Sequence, residues 1–195
     1  MNKITQNATY EQNISKSKFI GFSFYVENEI QANEIIKKLK NKFCDCRHLV
    51  YAYKIYPDIE KKENSSEPAG TAGAPILSAI IKNDLTNILI VVVRYFGGVL
   101  LGASNLYRAY SSTALETIAL SNMISIEKYK VFAFNCDYTT YSRIVDISQK
   151  DVSLKVLAAN FENSVDVRLA VKEDNLSILK TFNIAQSSFV EEIWL

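Results

Sequence analysis

Two short loops carry most of the residues in this chain that could do chemistry. The first reads Glu67-Pro68-Ala69-Gly70-Thr71-Ala72-Gly73-Ala74-Pro75, and the second Arg94-Tyr95-Phe96-Gly97-Gly98-Val99-Leu100-Leu101-Gly102-Ala103-Ser104. Five of the six glycines fall in these two stretches. Glycine permits left-handed backbone and close approach of other groups. Pro68 pushes Glu67 away from the helical region, and Gly70 and Gly73 lead the chain into a helix start whose free N–H groups suit an anion. A tight, proline-braced connection explains the same residues equally well.

The second loop has the Gly-x4-Gly spacing of a phosphate-binding P-loop from Gly97 to Gly102. That motif needs lysine after the last glycine, and Ala103 stands there instead. Nucleotide hydrolysis through this loop is therefore excluded. Ser104 is expected as a helix N-cap. Arginine is scarce, 5 against 17 lysines, yet Arg94 and Arg108 flank the second loop. A guanidinium grips phosphate or carboxylate with a planar fork. The alternative is an internal ion pair, with Glu67 or Glu116 as partner.

Other constellations are weaker. Cys44, Cys46 and His48 share a face if extended, but same-side strand residues sit roughly 7 Å apart, too far for ligands that lie about 2.0–2.3 Å from zinc. No metal and no cofactor is expected. His48 is the only histidine, with no nucleophile motif beside it in sequence, so no catalytic residue is assigned. Tyr51, Tyr53 and Tyr56 resemble base-stacking residues, although tyrosines on a strand serve packing equally.

The elements that must position the loops follow from periodicity. Strands are expected at 9–14, 19–26, 48–56 and 87–95, and helices at 29–43, 75–82 and 104–120. Tyr107, Tyr110, Ala114 and Ile118 form the inward stripe of the last helix. Residues 57–66 are expected to be a polar loop, and the lysines at 37, 38, 40 and 42 a solvated helix face. The pattern then restarts as strand 127–136, helix 139–150, strands 152–159 and 165–171, helix 174–182 and strand 188–194. That is a β-α-β-β-α-β unit of ferredoxin-like size. The expected domains are residues 1–123 and 124–195.

Bulk properties bound the function. The 195 residues carry 22 basic and 21 acidic side chains, a formal net charge of +1, which is no footprint for strong sequence-independent nucleic-acid binding. Three cysteines make no disulfide framework. The N-terminus is polar, and the longest apolar run, Ile88–Val93, is too short to span a bilayer. A cytoplasmic protein without membrane association is expected.

Four blocks in order then resemble the YigZ/IMPACT family: His48-Leu49-Val50-Tyr51-Ala52-Tyr53; Glu67-Pro68-Ala69-Gly70-Thr71-Ala72-Gly73-x-Pro75; Val92-Val93-Arg94-Tyr95-Phe96-Gly97-Gly98-x-x-Leu101-Gly102; and Leu106-x-Arg108-Ala109-Tyr110. The resemblance implies an α+β protein. Its first domain would be an α/β domain like those of a small-subunit ribosomal protein and of translocating elongation factors, and its second ferredoxin-like. It further implies a non-enzymatic factor in translation or its stress regulation, since eukaryotic IMPACT proteins work by protein contact, competing for the activator of a starvation-responsive kinase. The expected binding face is Glu67, Pro68, Gly70, Thr71, Gly73, Arg94, Tyr95, Gly97, Gly98, Gly102 and Arg108. Its expected partner is a ribosome, a translation-associated protein or RNA. Direct RNA or DNA binding, and an enzyme on a phosphorylated or acidic small molecule, stand as alternatives. The chain departs from the family pattern at Asn64-Ser65-Ser66, where an acidic, glycine-bearing lead-in is usual, and at Ser104-Asn105, where Gly-Gly is usual.

Overall fold

The computed structural model describes residues 1–182, 184 and 187–195. The chain divides into two compact units, Met1–Ser125 and Ile126–Leu195. In the first, five strands form one antiparallel sheet: β2 (Ala8–Ile14), β3 (Ser17–Tyr25), β4 (His48–Ile55), β5 (Ile59–Glu63) and β6 (Ile88–Tyr95), in the order β2-β3-β6-β4-β5. Two further short strands, β1 (Asn2–Ile4) and β7 (Met123–Ser125), pair with each other.

Period-2 alternation along the strands sorts their side chains onto two faces. Ile88, Ile90 and Val92 of β6 join the core beneath α2 (Gly73–Lys82) and α3 (Ala103–Ala119). Leu89, Val91 and Val93 join Ala32, Ile36 and Leu39 of α1 (Glu29–Lys42) on the other side. The central strand thus reads as an unbroken apolar run because both of its faces are covered. The lysines of α1 at 37, 38, 40 and 42 are exposed.

Three expectations need correction here. Residues 57–66 hold the edge strand β5, all five of whose residues are exposed, so no alternation marked it. The inward stripe of α3 is Leu106, Ala109, Tyr110, Thr113, Ala114, Thr117 and Ile118, while Tyr107 is 41% exposed. Ser104 does not cap α3, because the helix begins a residue earlier, after Gly102, with no side-chain cap.

The second unit contains β8 (Lys128–Cys136), α4 (Tyr138–Ser148), β9 (Leu154–Phe161), β10 (Val165–Lys172), a 3₁₀ helix (Glu173–Phe182) and β11 (Ser188–Trp194). The antiparallel order β11-β8-β10-β9 is the ferredoxin-like arrangement. The chain is α+β throughout. The helix expected at 174–182 is of the tighter 3₁₀ kind, with a non-helical residue at Asn175.

Candidate functional site

Arg94 continues the inward alternation of Ile88, Ile90 and Val92 and so turns toward α2 and α3. Strand register sets His48 of β4 and Phe19 of β3 opposite it. Its guanidinium lies over the rings of Phe19 and Phe96, at 5.4 and 5.6 Å from their centroids. A charge in this position demands a counter-charge. The first loop supplies it: Arg94 Nη1 donates to Glu67 Oε1 at 2.6 Å, with both side chains under 5% exposed. Nη2 donates to Ser17 Oγ at 3.3 Å.

The same Glu67 oxygen accepts a 2.8 Å hydrogen bond from the Tyr110 hydroxyl of α3, and His48 Nε2 stands 3.7 Å away. One carboxylate oxygen therefore gathers two strands, a loop and a helix. Burial, then the Glu67 charge, lifts the Tyr110 phenol far above its ordinary range. Burial holds the His48 imidazolium unfavourable; Glu67 opposes this, and Arg94 and Arg47 reinforce it. Ser66 Oγ lies 3.1 Å from the other ring nitrogen, Nδ1.

Local chemistry shapes both loops. In the first, the Thr71 N–H and hydroxyl both donate to the Pro68 carbonyl, at 3.1 and 2.7 Å. Asn64 Oδ1 accepts from the Gly73 N–H at 2.8 Å, serving a helix start that its own residues leave uncapped. In the second, the Gly97 N–H donates to Ser17 Oγ at 3.3 Å. A Cβ at Gly97 would sit 2.0 Å from the Lys16 carbonyl oxygen, so only glycine lets this loop lie against the β2–β3 turn. Gly102 has φ +75° and turns the chain into α3.

Between the loops lies a cleft of about 370 Å³, whose lining includes Arg47, His48, Ser66, Phe96, Leu100 and Leu106. A second depression of about 440 Å³ lies over Gly70, Thr71, Ser104, Tyr107 and Arg108. Ala103 borders both. Their rim is apolar and open to solvent: Leu100 is 87% exposed, with Phe96, Val99 and Tyr107 at 41–44%. Exposed apolar side chains are thus grouped here rather than scattered singly.

The residues expected to form a binding face divide accordingly. Pro68, Gly70, Gly102 and Arg108 are exposed and line the two depressions, Gly98 is exposed in the second loop, and Gly97 is half-buried. Glu67, Thr71, Gly73 and Arg94 are buried; Glu67 and Arg94 bond each other on the wall of the first cleft, Thr71 lines the second depression, and the Arg94 Nε–H has no hydrogen-bond partner among the described residues. Tyr95 is on the wrong face: its odd position in β6 turns it toward the α1 side, where its hydroxyl donates to Asp45. Burial and that bond push its pKa up to about 12. Arg108 makes no ion pair with Glu116 or any other acid among the described residues.

His48, Ser66, Tyr110 and Ser17 were not assigned from sequence, although His48 shares a face with Val50 and Ala52, as Arg94 does with Val92. Cys44 and Cys46 lie in the turn after α1 rather than on an extended segment. Burial raises the Cys46 thiol. Among the described residues, no three metal-ligating side chains come together. Tyr51 and Tyr53 are core residues. No described helix is long and apolar enough to cross a membrane.

Comparison with known proteins places this site in context. The family model of the Impact N-terminal domain matches residues 15–118, which span both loops. The chain is 31% identical over 173 residues to the IMPACT family member YvyE of Bacillus subtilis, covering 87% of this chain and 79% of that one. An IMPACT family member of Haemophilus influenzae is 29% identical over 184 residues, 92% of this chain and 88% of its own length. A crystal structure of a hypothetical protein superposes with a TM-score of 0.62 over 97% of this chain and 95% of that one. At 22% identity, it speaks to the fold.

Proposed function

The chain belongs to the IMPACT family, and on that premise we propose that it regulates translation, or its response to stress, by binding a protein partner. The partner docks on the rim formed by Phe96, Val99, Leu100 and Tyr107, with Pro68, Gly70, Gly98 and Gly102 shaping the surface and Arg108 supplying a charge at its edge. The buried group of Glu67, Arg94, Thr71 and Gly73 holds the two loops in register and does not touch the partner.

One observation carries this reading. The second loop exposes large apolar side chains, Leu100 at 87%, directly beside a root fixed by a buried ion pair. Rigid apolar anchors at a prepared surface are what protein recognition requires, because little ordering entropy remains to be lost on binding. The near-neutral chain favours a protein over a phosphate backbone as the principal contact. The test is capture of translation components from a translating extract by the immobilised chain, with ribosome co-sedimentation alongside, comparing wild type with Leu100→Glu.

A further inference from the structure

Ser66 and His48 form a hydroxyl–imidazole pair on the cleft wall that a docking role leaves unused. Ser66 Oγ is 3.1 Å from His48 Nδ1. Ser66 is exposed, whereas His48 is buried and fixed in β4 by pairing with β6. The other ring nitrogen faces Glu67 Oε1 at 3.7 Å, an oxygen itself held by Arg94 and Tyr110. Burial, with the Arg94 and Arg47 charges and against the Glu67 charge, lowers the imidazole pKa. A nucleophile with an adjacent base is the core of an activated serine, and here a carboxylate stands near the base without a hydrogen bond to it. Ser65, next in the chain and also exposed, supplies an internal contrast: no hydrogen bond joins its hydroxyl to the imidazole.

We infer that Ser66 is an acyl-accepting nucleophile with His48 as its general base, acting on carboxylic esters with an apolar acyl group. Oγ bonds to the ester carbonyl carbon as its proton passes to Nδ1, and the carbonyl electron pair moves onto oxygen. Collapse of this intermediate breaks the bond to the alkoxide, which leaves with the proton from Nδ1. Water then attacks acyl-Ser66 by the same route, releasing the carboxylic acid and restoring the hydroxyl.

The remaining wall of the cleft suits that substrate. Phe96, Leu100, Leu101 and Leu106 line a volume of about 370 Å³, within the range of small-molecule sites. Gly102 and Ala103 line it too, at the start of α3, where the first backbone N–H groups have no intrahelical acceptor.

The experiment treats the full chain with a fluorophosphonate probe and locates the adduct by mass spectrometry. Release of p-nitrophenolate from p-nitrophenyl butyrate is followed in parallel. The expected results are an adduct on Ser66 and not on Ser65, labelling slowed at least about a hundredfold in His48→Gln, and ester cleavage lost in Ser66→Ala. Ser66→Ala changes an exposed side chain, so it reports even if His48→Gln folds poorly. No adduct, equal labelling of Ser65 and Ser66, or cleavage unchanged in Ser66→Ala would overturn the inference.

Discussion

Arg94 and Glu67 meet at 2.6 Å in the interior of the first unit, where neither side chain exposes as much as 5% of its surface. Two residues with the look of ligand-binding groups therefore serve each other. Removing one partner strands a buried charge, at a cost of about 3–5 kcal/mol. Glu67→Ala or Arg94→Ala is expected to lower the stability of the N-terminal unit by that amount in urea unfolding. The apolar pair Glu67→Leu with Arg94→Met should cost less than the sum of the single changes, because it leaves no charge unpaired.

Gly97 lies against the backbone of Lys16, with room for hydrogen but none for a methyl group. Gly97→Ala must push the second loop off the β2–β3 turn and disturb the Ser17 bonds to Arg94 and to the loop itself. A loss of about 1–3 kcal/mol is expected from such overpacking, again in urea unfolding. Gly98→Ala meets no neighbour but must hold a φ of +82°, so its cost is conformational, about 1–2 kcal/mol.

His48 gives stability a pH dependence with a definite sign. Its folded pKa is lowered by burial, opposed by Glu67 and reinforced by Arg94 and Arg47. Above the ordinary histidine pKa of about 6.5, both folded and unfolded chains are neutral at this residue and it has no effect. As pH falls below that value, the unfolded chain takes the proton first and stability drops. The urea midpoint should therefore decrease from about pH 7.5 to about pH 5.5, and the decrease should shrink in His48→Gln. Because His48 is the only histidine, the difference between the two proteins isolates it.

Much of this architecture was legible from residue pattern alone. The apolar run at 88–93, flanked by loops and helices of the right period, located the central strand and the elements covering it. What stayed hidden depended on pairing rather than composition. β5 is charged and exposed at every position except Ile59, which is itself exposed, so only its partner β4 makes it a strand. The polar group at the site is likewise a product of register: His48 and Arg94 lie 46 positions apart, yet strand pairing makes them neighbours. Parity along β6 sorts its last two residues onto opposite faces. Arg94 has the parity of Val92 and faces inward, whereas Tyr95 has that of Val93 and faces away from the cleft.

Salt distinguishes a protein partner from a phosphate backbone. Counterion release makes nucleic-acid affinity fall by orders of magnitude between about 50 and about 200 mM salt when six or more phosphates are engaged. The apolar rim predicts partner capture that changes by less than about tenfold over that range. A steep loss would assign the face to RNA.

Leu100 provides the most direct test of the docking surface. At 87% exposure, it contributes little to the fold, so Leu100→Glu should shift stability by no more than about 0.5 kcal/mol. Capture of translation components from extract, measured by quantitative mass spectrometry on wild type and Leu100→Glu side by side, is predicted to fall at least about tenfold in the variant while its urea midpoint is unchanged. Equal capture by the two proteins would contradict the assignment of this rim as the docking surface.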